Sequence, residues 1–126
     1  MKEYDAVKEY VNMKKQITIK AVGKSMLPTI KEGDIITISN DINSLHVGDI
    51  VLFYNANKNH NIYILHRIIS SVKDKIFITK GDNNKFSDQP IRKSRIIGKV
   101  VLIQSKEYNT VISMKKNYSS YCKCQY

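Results

Sequence analysis

Apolar positions recur with two different periods along this 126-residue chain. Over residues 4–13, Tyr4, Val7, Tyr10 and Val11 fall at helical spacing, Ala6 and Met13 flank them, and Asp5, Lys8, Glu9 and Asn12 take the other side. This pattern predicts one short amphipathic helix. The next apolar position would fall on Lys14, so the helix is expected to end near Met13 and to cap the core. From residue 17 the pattern turns to that of strands: Ile17–Ile19, Ile35–Ile38, Ile50–Tyr54, Ile62–Ser70, Lys75–Thr79 and Ile96–Ile103. Gly, Asn and Asp separate these runs, at Gly33-Asp34, Asn40-Asp41, Gly48-Asp49, 55–61 and 81–84. Short strands joined by turn residues predict a mainly β fold, a small, partly coiled antiparallel domain with a short N-terminal helix. The expected organisation is an amphipathic N-terminal helix over 1–16, a β domain over 17–114, and a polar tail over 115–126 that frays.

Composition narrows the function classes without choosing one. The 21 Lys+Arg against 11 Asp+Glu leave a net charge of +10, which attracts polyanions such as nucleic acid or an anionic lipid surface. The basic residues come in scattered pairs, such as Lys14-Lys15 and Lys115-Lys116, so a solvated basic surface is expected and no specific nucleic-acid partner. The sixteen or so residues before the β domain are also too few for a helix-turn-helix unit. No run of about 18 to 20 apolar residues is present, and the N-terminus lacks an apolar core of the secretory kind. A cytoplasmic protein is expected, with peripheral contact at a membrane surface left open. Cys122 and Cys124 stand too close for an unstrained disulfide, and His46, His60 and His66 do not have the spacing of a ligand set. Neither a metal nor an organic cofactor is expected.

The residues with chemical promise fall in three segments. In the first, Ser25 follows an apolar strand, two residues after Gly23 and three before Pro28, a stiff mount for an exposed hydroxyl. A serine needs a base within reach to act as a nucleophile, so this segment proves little alone. The second is Ile62 to Ile69, where His66 interrupts an apolar strand; by itself such a histidine reads as a hydrogen-bonded structural residue. The third, Thr79 to Asp88, offers Asp82 and Asp88 as carboxylates able to orient an imidazole, or simply a polar turn.

Taken in order, Gly23-x-Ser25-Met26-x-Pro28-Thr29, Gly33-Asp34, Val47-Gly48-Asp49-Ile50-Val51, His66-Arg67-Ile68 and Lys80-Gly81-Asp82-Asn83-Asn84 with Asp88 resemble the successive boxes of type I signal peptidases, over about residues 17 to 103. The resemblance implies the fold of the signal peptidases and repressor peptidases, and a serine endopeptidase that trims a leader or signal-like segment from a peptide or protein. His66-Arg67 matches the subtype, found in the endoplasmic reticulum and in archaea, whose general base is a histidine. By the same resemblance Ser25 is the nucleophile, Asp88 assists His66, and Asp82 supports the loop, although the two aspartates could exchange roles. Gly23 and Met26 are the expected substrate contacts. Gly23 stands where signal peptidases commonly carry a serine that helps stabilise the oxyanion, so that site is expected to rest on backbone N–H groups, that of Ser25 first. The competing class is a non-catalytic module using the same fold for dimerisation or for binding nucleic acid or anionic lipid.

Overall fold

The computed structural model describes residues 3–56, 61–105, 108–112 and 121–125. Helix α1 spans Glu3–Lys14, one residue beyond its expected end. It is followed by β1 (Gln16–Lys20), β2 (Ile35–Ser39), β3 (Ile50–Ala56), β4 (Asn61–Val72), β5 (Ile76–Lys80), β6 (Ile91–Arg92), β7 (Ile96–Gln104), β8 (Tyr108–Ile112) and β9 (Tyr121–Gln125). Every pairing is antiparallel. The sheet runs β1-β2-β7-β3-β4-β5-β6, and β8 and β9 branch from β7. Six of these strands stand where the apolar runs predict them, whereas β6, β8 and β9 were not anticipated. Strand β9 lies within the segment expected to fray, where backbone pairing with β8 extends the sheet instead. Residues 57–60 and 113–120, with His60 and the Lys115-Lys116 pair, lie outside the described residues, as do the side chains of Tyr4, Cys122 and Cys124.

The unbroken apolar run of β3 has a structural cause. The coiled sheet buries both faces of this strand: Ile50, Leu52 and Tyr54 enter one core cluster with Ile36, Ile38, Ile97, Val100 and Ile103. Val51 and Phe53 enter a second with Leu45, Ile68, Phe77 and Ile96. A strand covered on both sides shows no polar alternation. Helix α1 closes the first cluster through the fully buried Val11, with Val7 packed beside it. Tyr10 and Met13, expected near the buried stripe, are exposed. The helix therefore covers the core with a narrow seam, since only a stripe of a single short helix can reach one sheet face.

Register shifts interrupt the sheet at three pairings: β2–β7 at Thr37/Ile38, β3–β7 at Leu52/Phe53, and β4–β5 between Ile68 and Ser70. Because the β5 pairing begins only at Arg67↔Lys80, the Ile62–His66 half of β4 pairs with β3 and has its other edge turned to a cleft.

Candidate active site

The segment after β1 turns sharply. Gly23 has φ +89°, in the left-handed region that glycine tolerates and a β-carbon does not. Ser25 follows in a run of turns closed by Leu27 N–H to Lys24 O (3.2 Å) and Ile30 N–H to Met26 O (2.9 Å). Met26 and Ile30 are buried in the first core cluster and pin the turn from below, leaving Ser25 half-buried at the surface.

His66 is positioned by the strand period. It pairs with Val51 across β3–β4, so it shares the face that carries Ile64 and Ile68 and meets the second cluster. The edge of its ring meets Phe53, with centroids 6.2 Å apart. The residue is 6 % exposed, and both ring nitrogens have partners. Nε2 lies 3.1 Å from Ser25 Oγ, and Nδ1 lies 2.5 Å from Asp88 Oδ2. A carboxylate can only accept, so Nδ1 carries the hydrogen and Nε2 is left to accept from the serine hydroxyl.

Asp88 is held by the strand end beside it. The fully buried Thr79 donates its hydroxyl to the same Oδ2 (2.7 Å), and Asp88 N–H donates to Thr79 O (2.8 Å). Asp82 does not join this chain of bonds. It receives Arg67 Nε and Nη2, both at 2.8 Å, and the Thr29 hydroxyl at 2.6 Å, while Arg67 Nη1 reaches Gly48 O at 2.7 Å. Burial pushes the Asp82 carboxyl up, but the hydrogen bonds from Arg67 and Thr29, with the charges of Arg67 and Lys80, outweigh it and hold the group below the usual carboxylate range. Asp82 thus ties the serine turn, through Thr29, to the strand that carries His66. Lys80 spends its ammonium on Gly81 O (2.9 Å) and Asn84 O (2.7 Å), bracing the loop rather than facing Ser25.

The loop itself rests on the serine turn. Asn83 N–H donates to Ser25 O (2.8 Å) and Asn83 Nδ2 to Lys24 O (3.1 Å). Gly81 is buried here, and a β-carbon on it would stand 2.7 Å from Ser25 O. Beside Ser25 and His66 opens a cleft of about 450 Å³, walled by Ile19 to Gly23 on one side and Tyr63 to Leu65 on the other. Met26 lines its floor while remaining 4 % exposed, so of the two expected substrate contacts Gly23 is the accessible one. The reading of the sequence missed Thr79, Thr29 and the loop's grip on Ser25. Thr79 and Thr29 lie within or beside quoted motifs, but which hydroxyl meets which carboxylate is decided by the sheet.

Comparison with known proteins gives a coherent set of likenesses. A family model described as Peptidase S24-like matches residues 2–101. The chain is 26 % identical over 134 residues to the signal peptidase complex catalytic subunit SEC11 of Ogataea parapolymorpha, covering 88 % of this chain and 75 % of that one. It is 32 % identical over 99 residues to the protein of the same name from Lachancea thermotolerans, covering 75 % and 54 %, and 40 % identical over 67 residues to that from Clavispora lusitaniae, covering 51 % and 39 %. The chain therefore spans about half or less of the latter two relatives. No solved structure matches it. Among the described residues no helix is long and apolar enough to cross a membrane.

Proposed function

The chain belongs to the peptidase S24-like family, and from that premise we propose that it is a serine endopeptidase of the histidine-base, signal-peptidase-like kind, cutting a leader or signal-like segment from a peptide or protein. The observation that carries this reading is the continuous run of bonds from Ser25 Oγ through His66 to Asp88, set at the wall of an apolar cleft. In the first step Ser25 Oγ bonds to the scissile carbonyl carbon as its proton passes to His66 Nε2. Asp88, braced by Thr79, holds the ring with Nε2 toward the serine and stabilises the imidazolium that forms. The tetrahedral intermediate collapses as His66 returns the proton to the leaving amine. Water, deprotonated by the same nitrogen, then attacks the acyl-serine and releases the acid.

Substrate placement follows from the backbone. The Ile62–His66 edge of β4 and the Ile19–Gly23 segment face each other across the cleft, a setting in which an extended peptide adds as a strand. The names of the similar proteins, catalytic subunits of a signal peptidase complex, agree with a signal-like substrate. The test is acylation by a penem-type serine-directed probe, read by mass spectrometry of the modified peptide. An adduct on Ser25 is expected in the native chain and lost in His66→Ala. An adduct that persists in Ser25→Ala, or native protein that neither acylates nor cleaves leader-type peptides, would overturn the proposal.

A further inference from the structure

Acyl transfer at a serine needs hydrogen-bond donors aimed at the oxygen on which negative charge develops. The Ser25 N–H supplies one at most, and Gly23 brings no side chain. We propose that the carboxamide of Asn84 is the second donor, a catalytic residue that completes the oxyanion site; this rests on the serine-peptidase reading above.

Four observations converge on Asn84. It lines the cleft together with Gly23, Ser25 and His66. Its carboxamide is exposed and makes no hydrogen bond to another described residue, whereas its backbone is engaged: N–H to Gly81 O at 2.9 Å, and O accepting from Lys80 Nζ at 2.7 Å. Its nitrogen is close to the nucleophile's own backbone. The β-carbon position built on Gly81 is 2.7 Å from Asn84 Nδ2 and 2.7 Å from Ser25 O, so the two atoms are no more than twice that distance apart. Finally, the loop cannot drift from the serine turn without breaking the Asn83 N–H to Ser25 O bond. The other polar side chains of the cleft are less suited. Ser25 and His66 are committed to each other, Lys20 sits on β1 beyond the turn, and Tyr63 lies three residues along β4 from His66. A neutral amide N–H on a short side chain, carried on a braced loop, can turn its donor toward the oxygen on which charge develops.

The experiment compares wild type, Asn84→Ala and Asn84→Asp with a fluorogenic leader-type peptide bearing small residues before the scissile bond, measuring kcat and KM separately. The carboxamide makes no internal bond, so melting temperatures should coincide and report intact folding. Loss of an oxyanion donor should lower kcat by about 10²- to 10³-fold with KM little changed, and Asn84→Asp, which offers an acceptor in place of the donor, should be at least as slow as Asn84→Ala. A kcat for Asn84→Ala within about threefold of wild type, or a defect confined to KM, would overturn the proposal while leaving the peptidase reading intact. Wild type without Ser25-dependent turnover would take down both.

Discussion

Replacing Gly81 by alanine should separate the geometry of the site from its stability. The added β-carbon would lie 2.7 Å from Ser25 O, a backbone atom that cannot rotate away, and 2.7 Å from Asn84 Nδ2, which can. It falls about 0.7 Å short of the 3.4 Å where ordinary contact begins, so the loop or the serine turn must yield by that amount. The yielding stretches the 2.8 Å bond from Asn83 N–H to Ser25 O and moves the Ser25 hydroxyl relative to His66. A displacement approaching ~1 Å at a reacting centre costs up to about 10²-fold in rate, whereas local overpacking costs about 1–3 kcal/mol of stability. The matched control is Gly98→Ala. Its β-carbon would meet Ser39 O at 2.5 Å and Ile38 Cγ2 at 2.6 Å, on the β7 side of β3 and away from the loop. Both variants should melt lower, by roughly 3–5 °C per kcal/mol for a domain of this size. Peptide hydrolysis per folded molecule should fall only in Gly81→Ala, by roughly ten- to a hundred-fold. Equal kcat/KM in the two variants would refute the claim that the Gly81 contact sets the position of Ser25.

Four further outcomes follow from the same structure. Ser25→Ala, His66→Ala and the double variant should lose turnover to nearly the same extent, because the two groups act as one unit, and single-turnover kinetics would expose any additivity. Asp88→Asn should keep the fold but lower kcat by about 10²- to 10⁴-fold, since an amide no longer fixes the ring or stabilises its cation; stopped assays with the same peptide measure this. Asp82 has a folded-state pKa below its ordinary value of 3.8, so its contribution is full above that pH and is lost as pH falls through the folded value; urea midpoints of Asp82→Asn and wild type should differ at neutral pH and converge in acid. Phe77→Ala, which empties a fully buried site under the Asp88 side of the sheet, should cost about 3–5 kcal/mol in urea unfolding.

Much of this architecture was legible from residue order. The runs at Ile17, Ile35, Ile50, Ile62, Lys75 and Ile96 became strands because β-branched residues between Gly, Asn and Asp turns leave few other options. Strand β6, two residues long, is too short to carry a period, and β8 and β9 owe their pairing to neighbours rather than to an apolar pattern. The order of the motifs brought Ser25, His66 and both aspartates into view, but left open which carboxylate meets His66 and which meets Arg67. That choice is made by register: Arg67 pairs with Lys80, next to Gly81-Asp82, while His66 one residue earlier points to the opposite face, where Thr79 and Asp88 stand. The grip of Asn83 on the serine turn was out of reach, because an Asn-Asn pair after Gly-Asp reads as a turn whatever lies above it.

The distances along the chain between the bonded groups carry a consequence for the newly made protein. Ser25 and His66 are 41 residues apart, His66 and Asp88 a further 22, and the Thr29–Asp82 tie closes a loop of 53. None of these contacts is local, and β3, which underlies His66, is itself paired with β7 near the far end of the domain. A chain that has left the ribosome only as far as Val72 holds a serine and a histidine but no loop to hold them together, and its sheet lacks a central member. Contacts of such long range form late and together. On the serine-peptidase reading proposed above, the Ser25–His66–Asp88 run is therefore absent from a partly synthesised chain and comes into being only with the completed sheet.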